Sequence, residues 1–232
     1  MPDLGESGIF LILQQITIAT LPLIFAITLH EAAHGYAAWA LGDDTAKQAG
    51  RLSLNPLHHI DPMGTLILPL IMLVLGGVLF GWAKPVPVNF RRLRGGRLGM
   101  VAVAAAGPAT NVLLALVSVL LIDLVPHLPI FFRNFLFLNL QKSIVINLFL
   151  AVFNMLPIPP LDGGRVAVGL LPLRAAIALD RLEPHGLLIL MGLIFLLPML
   201  GQLVGMDLNV VGWVVGSGVD HLARLLMSLT GS

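Results

Sequence analysis

His30-Glu31-Ala32-Ala33-His34 sets two imidazoles and a carboxylate within five residues of one another. On a helix, positions i and i+4 are about 400° apart, so His30 and His34 stack on one face, one turn apart. Two imidazoles so placed can share one tetrahedral Zn2+, and the adjacent Glu31 can take a proton from a water on that metal. The setting sharpens this reading. Between Glu6 and Asp43 the chain carries no Asp, Glu, Lys or Arg other than Glu31. Ionisable groups in hydrocarbon are costly enough that they imply function. The bland alternative, a chance match on an apolar helix, fits a soluble chain better than this one.

Two histidines do not complete a catalytic zinc site, which has three protein ligands and an open position. The chain has no cysteine, so any metal must be held by His, Asp or Glu. Asp123 lies at the far end of its apolar run, and Asp220 has Arg224 four residues on as an ion-pair partner. His58 and His59 sit in a polar loop, where a surface role is as natural as ligation. Asp162 is the best candidate. It follows an apolar run in Asn154-Met-Leu-Pro-Ile-Pro-Pro-Leu-Asp162-Gly-Gly-Arg165, where the prolines forbid a regular helix and Gly163-Gly164 permit sharp turns. A helix broken at membrane depth is tolerated only around a protein-lined or water-lined cavity, which a hydrolytic site in a bilayer needs. A helix cap ahead of residues 165–171 is the other reading of Asp162.

The elements that must position these groups follow from composition. Of 232 residues 57% are hydrophobic and only 11% charged, with mean hydropathy +0.96, against about a quarter charged in an average soluble domain. This is the pattern of an all-α polytopic membrane protein. Apolar runs near 9–41, 63–80, 100–125, 143–157, 186–203 and 208–229 give about five to six transmembrane helices. The expected organisation is a single domain over 1–232, with a catalytic core near 15–170 and accessory helices near 186–229. The N-terminus lacks a basic signal-peptide region, and no basic domain points to nucleic acid.

Loop 81–99 carries Lys84, Arg91, Arg92, Arg94 and Arg97 with no acid, and loop 158–185 carries Arg165, Arg174 and Arg181. The positive-inside rule places both in the cytoplasm, with the histidine end of the first helix beside them. Parity then requires either that 63–80 form a re-entrant hairpin or that the first segment break near Pro22 and cross twice. Residues 82–89 alternate and contain two prolines, which fits an edge strand of a small re-entrant or β-hairpin element near the site. Such an edge can receive an unwound substrate by strand addition; a plain surface loop contacting anionic lipid is the equal alternative. Three Gly-x-x-x-Gly spacings, at 77, 201 and 212, are weak evidence for a homo-oligomer.

Three motifs in order, His30-Glu31-x-x-His34, Ala106-Gly107-Pro108-x-x-Asn111 and Asn154-x-x-Pro-x-Pro-x-Leu-Asp162-Gly-Gly, resemble the site-2 protease family of intramembrane zinc metalloproteases. Residues 51–62 and 81–88 look like its compact bacterial branch, which lacks a PDZ domain. The resemblance covers about residues 15–200. It implies one Zn2+ per chain held by His30, His34 and Asp162, with Glu31 as general base. It implies substrate-binding roles for Asn111, beside the active site, and Asn154, holding an extended substrate. An asparagine amide can donate to an oxyanion or pair with a substrate backbone; for Asn111 a helix–helix hydrogen bond is the other reading. The implied partners are transmembrane-helix substrates and the lipid bilayer, in a bacterial inner membrane with the site towards the cytoplasm. Two rival functions are a metal-ion transporter and a catalytically silent scaffold. The lack of an internal repeat weighs against the first, and the intact residue set against the second.

Overall fold

The computed structural model describes residues 6–59, 61–67 and 84–230. Helix α1 runs from Glu6 to Ala40 without a break. Pro22 lies inside it and removes the amide that would serve the Ile18 carbonyl, yet the helix continues, so this segment does not divide into two crossings. A turn at Gly42 and the short α2 (Thr45–Gln48) follow, then a 3-10 turn over Pro56–His59 and a wide π-type turn over Pro62–Ile67. Most of the 63–80 segment, and with it the choice between a re-entrant and a spanning path, falls outside the described residues.

No strand forms among the described residues. The expected edge at 82–89 is seen from Lys84 onward as an irregular strap. Pro85 and Pro87 have no amide to give, and the Lys84, Val86 and Asn89 amides donate to the His59 carbonyl, Glu31 Oε2 and Asp43 Oδ2. Those three donors are spent on α1 and the loops beyond it, so no ladder forms along this strap among the described residues.

Beyond the strap come α3 (Arg97–Ile122), α4 (Ile130–Asn154), α5 (Asp162–Leu170), α6 (Leu173–Asp180), α7 (Gly186–Met191), α8 (Leu197–Leu203) and α9 (Val210–Thr230). Four stretches among the described residues are long and apolar enough to cross a membrane: Arg97–Ile122, Ile130–Asn154, Leu173–Leu203 and Val210–Thr230. Two begin earlier than the apolar runs imply. In α4, Arg133, Gln141 and Lys142 interrupt the hydrophobic pattern but point outward, so the helix passes through them. Likewise Arg174 and Arg181 belong to the helical stretch from Leu173 rather than to a loop. Ile130, Phe131 and Leu203 are more than three-quarters exposed, a belt of apolar surface whose solvent is lipid. The chain is an integral membrane protein.

Helices α1, α3 and α4 pack on one another, and α5 lies against α3. Their contact is built from small residues: Ala26, Ala32, Ala38, Ala104 and Ala115 are almost fully buried. In a bilayer, where burial of apolar surface drives nothing, such residues let backbones approach closely. Leu156 and Leu161 pack with Leu190 and Val215, which pins the proline-rich link between α4 and α5 against α7 and α9. That link places Asp162.

Candidate metal centre

His30 and His34 lie on the face of α1 that packs against α3, as their spacing requires. Asp162 reaches them from the first residue of α5. It caps nothing: the residue before the helix is Leu161, without a capping bond, and Asp162 Oδ2 has no hydrogen-bond partner among the described residues. The two glycines after it do not serve as turns, since neither has a positive φ. They allow close approach instead. A Cβ on Gly164 would stand 2.8 Å from Pro159 N, so the α5 start can lie on the proline link only without side chains there.

The three donor atoms converge. His30 Nε2 and His34 Nε2 are 3.1 Å apart, and Asp162 Oδ2 is 3.1 Å from the first and 3.3 Å from the second. Ligands about 2.0–2.1 Å from one tetrahedral Zn2+ stand about 3.3 Å from each other. The hydrogen bonds behind the rings say what these atoms carry. His34 Nδ1 is 2.7 Å from the Val103 carbonyl oxygen, and His30 Nδ1 is 2.5 Å from Asn111 Oδ1. Both oxygens only accept, so both rings hold their proton on Nδ1 and turn a lone pair inward at Nε2. Two lone pairs and an unpartnered carboxylate oxygen facing one another repel unless a cation sits among them. The donor set therefore fits Zn2+, with the outer hydrogen bonds that orient metal-bound histidines already in place. Among the described residues it is the group of three ligating side chains that could hold a metal.

Glu31 is half-buried on the adjacent position of α1, and its Oε2 accepts from Val86 N–H at 2.8 Å. Its Oε1 has no hydrogen bond among the described residues. Gly107 closes the other side of the cleft. A Cβ there would lie 2.5 Å from His34 Nε2 and 2.6 Å from His30 Nε2, so the Gly107 backbone is the wall of the metal position.

The comparisons with known proteins agree with this geometry. The model of "Peptidase family M50" matches residues 134–198. A Bacillus subtilis (strain 168) protein named "Putative zinc metalloprotease YwhC" is 37% identical over 211 residues, 89% of this chain and 90% of that protein. The chain belongs to peptidase family M50. The M50 resemblance extends to two mycobacterial proteins, both named "Putative zinc metalloprotease Rip2". That of Mycobacterium tuberculosis (strain H37Rv) is 32% identical over 85% of this chain and 73% of its own length. That of Mycolicibacterium smegmatis is 35% identical over 60% of this chain and about half of its own length, 52%. No solved structure matches the chain. The sequence-based reading of a site-2 protease-type zinc metalloprotease, with Zn2+ as its cofactor, is borne out by this membership.

Within the M50 framework the expected residues fall into two groups. His30, His34 and Asp162 come together, with Glu31 beside them. The two asparagines stand elsewhere. Asn111 is fully buried behind His30: its Oδ1 faces His30, and its Nδ2 donates to Asn147 Oδ1 at 2.8 Å and to the Ala26 carbonyl at 3.4 Å. Both ends of the amide are in use, so neither faces the cleft. Asn154 donates back along α4 to the Leu150 carbonyl at 3.0 Å, and its Oδ1 has no hydrogen bond among the described residues. Four participants went unread in the sequence. Val103 acts through its backbone, and the Val86 amide comes from a strap, so neither leaves a side-chain signal. Asp43 is fully buried and accepts from Thr45 Oγ1 at 2.5 Å and from the Asn89 amide at 2.6 Å, which ties the strap to the end of α1. Asn147 did leave a signal: an amide in a membrane span with a serine four residues before it.

Proposed function

We propose that this protein is an intramembrane endopeptidase that hydrolyses peptide bonds in or near the transmembrane segments of membrane-protein substrates. One observation supports the reading: a three-donor metal position with a carboxylate at its side, in a bundle whose helices include four stretches long and apolar enough to cross a membrane. His30, His34 and Asp162 would hold Zn2+, which when bound supplies Lewis acidity towards a peptide carbonyl and brings the pKa of a water towards about 7. The two rings are fixed by their Nδ1 bonds, so the ligand cage needs no rearrangement before metal enters. Glu31 is the general base. With Oε2 anchored to the Val86 amide, Oε1 is left to take the proton of the attacking water and pass it to the leaving amine. Asn111 serves the site from behind, by orienting His30. Asn154, whose Oδ1 at the end of α4 has no partner among the described residues, is the asparagine that can meet a substrate amide.

A helical substrate hides its carbonyls in i→i−4 bonds and must unwind before it can be cut. Weak or previously trimmed transmembrane helices are therefore the substrates of choice. The site lies at the strap end of α1, where Arg92 pairs with Asp44 at 2.8 Å and the Arg94 amide meets the Leu41 carbonyl. By the positive-inside rule that end faces the cytoplasm of a bacterial inner membrane. The test compares wild type with Glu31→Gln on a purified single-span substrate. Cleavage by wild type alone is the expected result; cleavage by both, or by neither over a broad substrate panel, overturns the proposal. The absence of native cysteine lets single cysteines at exposed Lys84 and Phe131 report orientation, with labelling of the first from the cytoplasmic side.

A further inference from the structure

Between α3 and α4 lies a run of buried polar side chains that the catalytic reading does not use. Asn139, Ser143 and Asn147 recur every four residues on one face of α4. Asn147 is 1% exposed and Asn111, its partner on α3, is 0% exposed. From the metal outward the contacts are His30 Nδ1 to Asn111 Oδ1 at 2.5 Å and Asn111 Nδ2 to Asn147 Oδ1 at 2.8 Å. They continue with Asn147 Nδ2 to the Ser143 carbonyl at 2.8 Å and to Ser143 Oγ at 3.2 Å. Ser143 Oγ then meets Ser118 Oγ at 2.8 Å, and Ser118 Oγ donates to the Leu114 carbonyl.

This chain has a direction. The Ser143 carbonyl can only accept, so the amino end of Asn147 must face it, and the oxygen end must face Asn111. That oxygen can only accept, so Asn111 presents its own amino end to Asn147, as its longer contact to the Ala26 carbonyl at 3.4 Å also asks, and its oxygen to His30. The oxygen in turn requires the His30 proton on Nδ1. Turn either amide over and Asn111 offers N–H to His30, the ring moves its proton to Nε2, and the lone pair owed to the metal is gone. His34 needs no such chain, because its Nδ1 meets a backbone oxygen directly.

We infer that Asn147 is a positioning residue for the metal centre, acting through Asn111 to hold His30 in the metal-binding tautomer, with Ser143 as the fixed end of the relay. The inference rests on the metalloprotease reading above. Its test is zinc affinity, measured on detergent-solubilised protein by competition with a chromophoric chelator. Asn147→Leu keeps the four-atom branched outline, in a somewhat larger side chain, but removes both contacts, and it should weaken zinc binding on the order of tenfold, the lower end of what loss of an outer partner of a ligating histidine costs. Asn147→Asp should restore affinity to within about threefold of wild type. In so apolar a place its carboxyl is neutral, and its hydroxyl and carbonyl reproduce the donor and the acceptor of the amide. A role in packing alone predicts the reverse, since leucine suits a membrane helix better than aspartic acid. Wild-type affinity in folded Asn147→Leu overturns the relay, as does failure of Asn147→Asp to exceed it. Where Asn147→Leu does not fold, Asn147→Ala is read by the same criteria. A wild-type protein that binds no zinc, or keeps it in Asp162→Ala, defeats the metal-centre reading instead, so the two failures are distinct.

Discussion

One methyl group at Gly107 should empty the metal centre while the bundle stays folded. The Cβ of Gly107→Ala would stand 2.5 Å from His34 Nε2 and 2.6 Å from His30 Nε2 and Cε1, about 1 Å inside ordinary contact. The rings cannot yield alone, because each is tied at Nδ1. Relief therefore falls on α3, which must back away from α1 by about the same 1 Å. Val103 and Asn111 both ride on α3, so one shift stretches both outer hydrogen bonds at once. Loss of one such partner costs about 10- to 100-fold in metal affinity, and loss of two about 10²- to 10⁴-fold if they add. Overpacking costs about 1–3 kcal/mol of stability, which a folded bundle can bear. The assay is chelator competition for zinc, beside the thermal unfolding of the metal-free proteins. Metal-free Gly107→Ala that folds and binds zinc with wild-type affinity would show that Gly107 does not wall the site.

Zinc content should separate ligands from base: retained in Glu31→Gln, lost in His34→Ala and Asp162→Ala, with proteolysis abolished in all three; zinc retained without Asp162 would refute its role. Burial raises the pKa of Asp43, but hydrogen bonds from Thr45 and Asn89 and the nearby Arg92 charge outweigh it, so the net value lies below the ordinary one. The unfolded chain then binds more protons in that window, so this stability is complete above about pH 3.9 and is lost as pH falls through the folded value. Asp43→Asn should accordingly melt below wild type at pH 7, with a gap that closes below about pH 3.9; a gap independent of pH would refute the assignment. Arg165 lies over the Phe90 ring and pairs with Glu183 at 2.5 Å, but the pair is about a third exposed. Arg165→Ala should cost only about 0.2–1 kcal/mol and leave zinc stoichiometry unchanged; loss of zinc would mean that this pair, not the Gly163-Gly164 packing, holds α5.

The metal group was legible because its logic is local. The i, i+4 spacing of His30 and His34 dictates a shared face whatever surrounds it, and Asp162 stood out as the acid that follows a broken apolar run. The strap was legible only in position. Its two prolines spoke for an edge strand over a central one, but the fate of the remaining amides depends on Glu31, Asp43 and His59, which lie up to 55 residues away. Helix starts were misplaced where polar residues such as Arg133 and Lys142 break a hydrophobic run without breaking the helix, since a helix can turn them outward. Asn111 was placed beside the site, but its direction depends on Asn147 and the Ala26 carbonyl, and no spacing rule joins a residue of α3 to one of α4 or α1.

The polar groups of the site also explain why the membrane suits it. In water, an asparagine that loses its partner finds a replacement from solvent, and its orientation says little. Between α3 and α4 no solvent competes, so an amide turned over would leave buried groups unpaired at about 1–3 kcal/mol each. That cost keeps Asn147, Asn111 and His30 in one arrangement, and the backbone keeps His34. Among the described residues, Asp162 Oδ2 is the buried ligand atom left without a hydrogen-bond partner. The atom left over is the one a metal ion would take, held at ligand spacing from two imidazole nitrogens that have lone pairs and nothing else to offer them to.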